Sequence, residues 1–122
     1  MLDHVTLGVS DLEASKAFYD PVLETLGIAR LYADGENFAG YGRGRKAFFW
    51  IGLRTVPITG MHVAFAAASR SLVNSFYAVA LAHGGRDNGQ PGPRPQYHAN
   101  YYGAFVLDPD GHNMEAVCHD PL

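Results

Sequence analysis

Apolar and polar residues alternate in two short runs of the chain, and a stretch with helical spacing follows each run. The runs are DHVTLGV, from Asp3, and MHVAFAA, from Met61. Their period of two is typical of half-buried strands. After the first run, Ala14, Phe18 and Val22 recur every four residues, as on the buried side of a helix. The pattern therefore predicts two strand–helix units.

The first helix has recognisable ends in the sequence. Ser10 and Glu13 have the spacing of a capping box, which predicts that the helix begins at Ser10. Pro21 lacks a backbone donor, so we expect a break near Asp20. Gly27 suits the left-handed turn that ends many helices.

Further short strands should complete each unit. In the first unit they are predicted over residues 28–33, 36–42 and 46–53, with glycine-rich turns between them. In the second unit the last two strands are predicted over 101–107 and 112–118. The stretch DNGQPGPRPQYHANYYG before them contains three prolines, which cannot donate to a sheet ladder. We therefore expect an ordered loop there.

The two units are related by a constant offset of 58 positions. Six residues of the first unit are identical to their counterparts in the second: His4, Val5, Phe18, Tyr19, Leu23 and Gly27. This repeat predicts one domain over 1–122, with a first module over about 1–58 and a second over about 59–122. Each module has the order βαβββ, so the predicted fold class is α+β.

Composition narrows the class of protein. A chain of 122 residues, 48% of them hydrophobic, has the size of one domain with a substantial core. Its net charge of −3, without a basic stripe, argues against nucleic acid as a partner. No apolar run is long enough to span a membrane, and the first residues lack the basic segment of a signal peptide. The single cysteine, Cys118, fits a reducing compartment, so we expect a cytoplasmic protein.

The opening segment HVTLGVSDLEASKAFY and the closing segment FVLDPDGHNMEAV resemble the vicinal oxygen chelate superfamily. Its members include glyoxalase I, the fosfomycin-resistance thiol transferases, extradiol dioxygenases and bleomycin-binding resistance proteins. The resemblance covers essentially the whole chain. It implies that two tandem βαβββ modules form a curved mixed sheet with a concave cleft, and that the protein is a homodimer.

Three polar side chains are candidates for the cleft. Parity places His4, His62 and Glu115 on strand faces opposite the bulkier apolar residues. The resemblance implies that these are three metal-ligand positions, for iron, manganese, zinc or nickel. Two imidazoles and a carboxylate suit such an ion and leave open sites for a substrate with adjacent oxygens, which the ion would polarise. The structural alternative is that Glu115 pairs with an arginine such as Arg54.

Phe48 and Trp50 face the same cleft by parity and are candidates for substrate binding. The resemblance places a fourth ligand of glyoxalase I, usually a carboxylate, at the position of Trp50, and an indole cannot ligate a metal. This departure favours a three-ligand site, as in the thiol transferases and extradiol dioxygenases. It also leaves open a site without an ion, in which Trp50 stacks on an aromatic ligand.

The proline-rich stretch contributes further candidates. His98 and Tyr101 are predicted to act as acid or base, and Arg94 and Tyr102 to contact the substrate. The alternative is that the tyrosines only pack the loop and that the arginine is exposed on it.

The turn DPDGH near the end of the sequence is assigned a structural role. Asp108 and Asp110 suit turn positions. His112 directly follows the same turn.

The predicted function is that of a glyoxalase-like, metal-dependent enzyme of the lyase, isomerase or thiol-transferase type. Its substrate would be a small molecule with chelating oxygens. Two alternatives remain open, namely a metal-free protein that binds a flat or aromatic compound and an extradiol-type dioxygenase. Trp50 favours the binding protein, whereas the two histidines and the glutamate favour an enzyme.

Overall fold

The structure is a computed structural model that describes residues 2–54 and 60–121. The first module contains β1 (Val5–Val9), α1 (Leu12–Glu24), β2 (Ala29–Asp34), β3 (Phe38–Arg43) and β4 (Lys46–Leu53). The second contains β5 (His62–Ala66), α2 (Arg70–Ala82), β6 (Arg86–Pro93), β7 (Tyr102–Leu107) and β8 (Asn113–Cys118). The order βαβββ therefore occurs twice.

The described strands form two four-stranded sheets, ordered β1-β4-β3-β2 and β5-β8-β7-β6. In each sheet the first strand of the module pairs parallel with the last, and the other pairings are antiparallel. Both bounds of α2 lie 58 positions after those of α1, so the repeat in the sequence is a repeat in the structure. The α+β class and the two modules are confirmed. The predicted module boundary near residue 58 lies outside the described residues.

Each helix packs on one face of its own sheet, and the two helices also contact each other. Phe18, Phe49 and Phe76 are fully buried in the core between these layers. The rings of Phe49 and Phe65 meet edge to face with their centroids 5.1 Å apart, which joins the two modules. Neither helix of the described chain has the length and hydropathy that crossing a bilayer requires. We call the sheet face opposite α1 open face 1, and the one opposite α2 open face 2.

Helix α1 begins later than predicted and does not break. Its N-cap is Asp11, whose carboxylate accepts from the backbone N–H of Ala14 at 3.0 Å, while Ser10 bonds to the second module. Aspartate and serine are comparable caps, so the side chain within reach of that amide decides the start. The helix runs through Pro21 because its apolar neighbours are held in the core, which offsets a lost hydrogen bond. Gly27, with φ of +75°, ends it as predicted.

The prediction of a loop in the stretch that begins at Asp87 is wrong over residues 87–93, which belong to β6. This strand lies at the edge of its sheet, where a proline without an N–H removes no ladder hydrogen bond on the solvent side. Its pairing with β7 shifts register on both sides of Gly89, so Pro91 and Pro93 are accommodated by an irregular ladder.

The closing turn DPDGH bonds the second module to the first. The hydroxyl of Tyr19 in α1 donates to Oδ2 of Asp108 at 2.6 Å, and both residues are buried. The other carboxylate oxygen accepts from the backbone N–H groups of Asp110 and His112 at 2.9 and 2.8 Å. The imidazole Nε2 of His112 lies 3.0 Å from the carbonyl oxygen of Gly8. The structural role predicted for this turn is confirmed.

Because the phenol of Tyr19 is buried, we expect the free energy of unfolding to fall at alkaline pH. Burial and the charge of Asp108 raise the pKa of Tyr19 well above its ordinary value of 10.0. Below about pH 10, Tyr19 keeps its phenolic proton in both the folded and the unfolded chain. Above it the unfolded chain loses the proton first, so folding is disfavoured by up to about 1.4 kcal/mol for each pH unit. The stability gap between the wild type and Tyr19→Phe should therefore narrow above about pH 10.

Urea unfolding of both proteins at several alkaline pH values measures this gap. Tyr97→Phe, at an exposed position, serves as the control and should keep the pH slope of the wild type. A constant gap between the wild type and Tyr19→Phe would contradict the assignment.

Candidate functional site

Open face 2 carries the candidate ligands His62 and Glu115. His62 begins β5, and Glu115 lies in β8, where Ala64 is its parallel partner. Val63 and Met114 pack into the core on the helix side. Because successive strand residues alternate, His62 and Glu115 point to the opposite face.

Glu115 has a partner for each of its carboxylate oxygens. Nε2 of His62 lies 2.9 Å from Oε1, and the hydroxyl of Tyr101 donates to Oε2. Glu115 is 1% exposed, whereas half of the His62 side chain is accessible to solvent. A pairing of Glu115 with Arg54, the structural alternative, is wrong for the described chain, where His62 is the basic partner of this carboxylate.

The contact between Tyr101 and Glu115 depends on Gly103. A Cβ at Gly103 would lie 3.1 Å from the Tyr101 ring and 3.3 Å from Oε2 of Glu115. Burial raises the pKa of Tyr101, and its hydrogen bond to Glu115 and the carboxylate charge raise it further. The phenol therefore stays protonated at neutral pH and keeps donating to Glu115.

The loop between β6 and β7 holds Tyr101 in place. The N–H of Tyr101 donates to the carbonyl of His98 at 3.2 Å, and the N–H of Arg94 donates to the carbonyl of Tyr101 at 2.8 Å. The guanidinium of Arg94 donates to the carbonyls of Gln90 and Gly92 at 2.7 and 2.9 Å. Arg94 thus braces its own loop, and its contact with a substrate stays a prediction.

His98 and Tyr102 lie beside Tyr101 but have other partners. Nε2 of His98 lies 2.7 Å from Nδ1 of His119, and the His98 ring meets that of Tyr101 with centroids 5.3 Å apart. The hydroxyl of Tyr102 donates to Oδ1 of Asn74 in α2 at 2.8 Å, on the helix side of the sheet. These contacts give His98 a position from which to orient Tyr101. The roles predicted for both residues remain untested.

His4 belongs to the other module and lines a different pocket. Its Nδ1 lies 2.8 Å from Oδ1 of Asp3, and its side chain is 54% exposed. It shares a pocket of about 310 Å³ with Phe48, while His62 and Glu115 line another of about 430 Å³. In residues 2–54 and 60–121, no three His, Cys, Asp or Glu side chains are grouped closely enough to hold an ion. One chain therefore joins two of the three predicted ligands.

Trp50 has the position on open face 1 that Glu115 has on open face 2. Thr6 of β1 is its parallel partner, as Ala64 of β5 is the partner of Glu115. The predicted parity of β4 is confirmed, since the residues on either side of Trp50 are fully buried. Phe48 shares its face and is partly buried.

The donor atoms of His62 and Glu115 are of types that bind divalent ions. Nitrogen and oxygen ligands held 2.0–2.2 Å from one ion lie about 3 to 3.4 Å from each other, depending on whether the geometry is octahedral or tetrahedral. The observed 2.9 Å between Nε2 and Oε1 is a hydrogen-bond distance close to that range. Protein metal sites usually have at least three protein ligands, so at least one more must come from outside this pocket.

Sequence reasoning missed four aromatic residues near these faces: Tyr32, Phe38, Tyr97 and Phe105. Phe105 is the antiparallel partner of Glu115, so parity along β7 could have placed it on open face 2. Tyr32 and Phe38 could have been found from the pairing of β2 and β3. Tyr97 lies in the loop, where no periodic signal exists.

The amino-acid sequence matches a family model described as the Glyoxalase/Bleomycin resistance protein/Dioxygenase superfamily over residues 1–116. A search of curated proteins found no match.

The fold is similar to several solved structures. A glyoxalase/bleomycin resistance protein from Albidiferax ferrireducens T118 has 34% sequence identity and a TM-score of 0.82, over 96% of this chain and 97% of the other. A glyoxalase-related enzyme from Fulvimarina pelagi has 24% identity and a TM-score of 0.75, over 97% and 87%. A lactoylglutathione lyase from Agrobacterium tumefaciens has 17% identity and a TM-score of 0.69, over 97% and 92%. The last two establish a likeness of fold alone.

Proposed function

Because this chain belongs to the glyoxalase/bleomycin resistance protein/dioxygenase superfamily, we propose that it is a glyoxalase-like, metal-dependent enzyme. Its substrate would be a small molecule with adjacent, chelating oxygens. The observation that carries this proposal is the convergence of His62 and Glu115, with 2.9 Å between Nε2 and Oε1, on a sheet face without a helix. A buried carboxylate beside a half-exposed imidazole provides both the charge and the access that ion binding needs.

We propose that the ion is held by His62 and Glu115 of one chain and by His4 of a second copy. A divalent ion there would supply Lewis-acid polarisation of the substrate oxygens. Tyr101 orients the Glu115 carboxylate through its hydroxyl, which stays protonated at neutral pH. His98 packs on the Tyr101 ring and fixes its direction.

The arrangement across two copies follows from where the ligands lie. His4 lies at the start of the first module, whereas His62 and Glu115 lie on open face 2 of the second, in a separate pocket. A pair of chains related by a two-fold axis would place open face 1 of each chain opposite open face 2 of the other. β1 and β5 both end their sheets and have one edge without a strand partner among the described strands. This supports a homodimer in which each of two sites takes residues from both chains.

A mixing experiment tests this arrangement. The wild type, purified without a metal-affinity column, should contain about one ion per chain, and His4→Ala and His62→Ala should each contain almost none. When the two variants are co-expressed with different tags, the heterodimer keeps one site with both histidines. It should therefore regain about half an ion per chain.

His83→Ala is the matched control, because His83 is an exposed histidine at the end of α2 and should leave the metal content unchanged. A heterodimer without metal, from variants of a wild type that does bind it, would reject the shared site. A wild type without metal would reject the enzyme proposal itself.

A metal-free binding protein is the second candidate, favoured by one observation. Trp50 and Tyr32 stack on open face 1 with centroids 5.9 Å apart and planes 13° apart, as in a site for a flat compound. Absence of metal together with binding of such compounds would support it. An extradiol-type dioxygenase would instead need a redox-active ion such as iron, the usual ion of a two-histidine, one-carboxylate oxygenase site.

A further inference from the structure

Open face 1, which the proposed second copy would cover, contains a pocket of about 490 Å³ whose residues the metal proposal has not yet assigned to any part of the substrate. Its lining includes Thr6, Phe38, Trp50 and Arg54. The pocket thus combines an aromatic surface, which can stack on a flat ring, with one guanidinium, which can bind an anionic group.

The floor of this pocket is the indole of Trp50, which lies flat on the sheet. A Cβ at Gly40, the strand partner of Trp50, would lie only 2.5–2.7 Å from three atoms of the indole ring. Because Gly40 has no side chain, the indole of Trp50 can pack against the backbone of β3. Tyr32 stacks beside the indole, and Phe38 meets it edge to face with centroids 5.7 Å apart. A flat ligand ring would find an aromatic surface already in place.

The cationic end of the pocket is Arg54, whose side chain folds back along β4. Its Nη1 would lie 3.0 Å from a Cβ at Gly52, so a second glycine makes room for the guanidinium above the strand. Nη1 donates to the carbonyl of Leu53 at 3.1 Å. Within residues 2–54 and 60–121, no carboxylate lies at ion-pair distance from Arg54. The remaining N–H donors of its planar fork suit a carboxylate ligand.

We infer that the ligand of this site is an aromatic carboxylate, whose ring lies on Trp50 and whose carboxylate binds Arg54. Gly40 and Gly52 are both needed for this arrangement, because each removes a side chain from beneath one of the two recognition groups. This inference rests on the proposed function, since it names the substrate class of the same site. The ring would lie on the face that a second copy covers with its own His62 and Glu115.

Benzoate is the probe, with benzamide as its uncharged analogue and cyclohexanecarboxylate as its non-aromatic analogue. Calorimetry gives the dissociation constants. Trp50 is the only tryptophan of the chain, so a change in tryptophan fluorescence reports contact at this pocket. Benzoate should bind about tenfold more tightly than either analogue, the effect expected of one charge-assisted hydrogen-bonding group or one stacked ring.

Arg54→Gln should remove the advantage of benzoate over benzamide and leave benzamide binding unchanged. Arg45→Gln, at an exposed turn of the same module, is the matched control and should bind like the wild type. In Trp50→Leu, benzoate should no longer bind more tightly than cyclohexanecarboxylate, as judged from the dissociation constants that calorimetry gives. Equal binding of the three probes, no measurable binding of benzoate, or an unchanged preference in Arg54→Gln would overturn the inference.

Repeating the titrations after chelator treatment separates this inference from the metal proposal. A preference for benzoate in a protein that never contains metal would sustain the aromatic carboxylate and reject the metal enzyme. A protein that contains metal but does not prefer benzoate would sustain the metal enzyme and reject the aromatic carboxylate.

Discussion

Asp108→Ala should destabilise the protein by about 3 to 5 kcal/mol, the largest loss of stability we expect from one polar substitution. The buried hydroxyl of Tyr19 and the backbone N–H groups of Asp110 and His112 all donate to this carboxylate. Removal of their common acceptor leaves the buried Tyr19 hydroxyl and the buried His112 N–H without a partner, and each such donor costs about 1–3 kcal/mol; the partly buried N–H of Asp110 adds less. Urea unfolding followed by circular dichroism measures the change.

Two variants bracket this result. Asp34→Ala removes an exposed aspartate that accepts from Asn37, and it should change the unfolding free energy by no more than about 0.5 kcal/mol. Tyr19→Phe removes one donor and leaves the acceptor, so its cost should fall between the two. If Asp108→Ala were as stable as Asp34→Ala, the turn would not join the modules as described.

Glu115→Gln should weaken metal binding by more than about 100-fold. Loss of a group that only supports a metal ligand typically costs 10- to 100-fold in affinity, and Glu115 is proposed to be a ligand itself. Glutamine has nearly the same shape and can still accept from Tyr101, so the fold should survive while the negative charge is lost. Competition with a fluorescent chelator measures the affinity.

Tyr101→Phe distinguishes the ligand from the residue that orients it. It leaves the carboxylate in place, so we expect about a 10- to 100-fold loss of affinity, smaller than that of Glu115→Gln. Glu24→Gln, in the last turn of α1, is the matched control and should bind metal normally. Equal affinities of Glu115→Gln and the wild type would remove Glu115 from the proposed site.

The parts of the fold that the sequence predicts are those governed by local periodicity. Alternation along β1, β5 and β8 places Leu7, Phe65 and Met114 in the core, and their neighbours on the open faces follow from the same rule. The offset of 58 positions aligns the two helices, and the buried residues Val73, Phe76 and Ala80 of α2 correspond to the buried residues Ser15, Phe18 and Val22 of α1. The positions of Trp50, His62 and Glu115 were therefore predictable.

The parts that the sequence does not predict depend on distant partners. Ser10 fits a helix cap by its spacing, but a bond to Asp110, one hundred residues later, competes for it. The contact of Tyr101 with Glu115 depends on how a loop folds over β8 and on the space left at Gly103. Within one chain His4 and the pair His62 and Glu115 line separate pockets, and a single sequence carries no periodic signal for whether a second copy brings them together.

The bonds between Tyr19 and Asp108, and between Gly8 and His112, also bear on how the protein is made. While the ribosome synthesises the first module, the phenol of Tyr19 must stay hydrated, because its acceptor is 89 residues further along the chain. The apolar residues around Tyr19 in the nascent first module therefore stay partly exposed to solvent until the DPDGH turn has left the ribosome. Chaperone binding during translation should fall when that turn leaves the exit tunnel, not when the first four strands do.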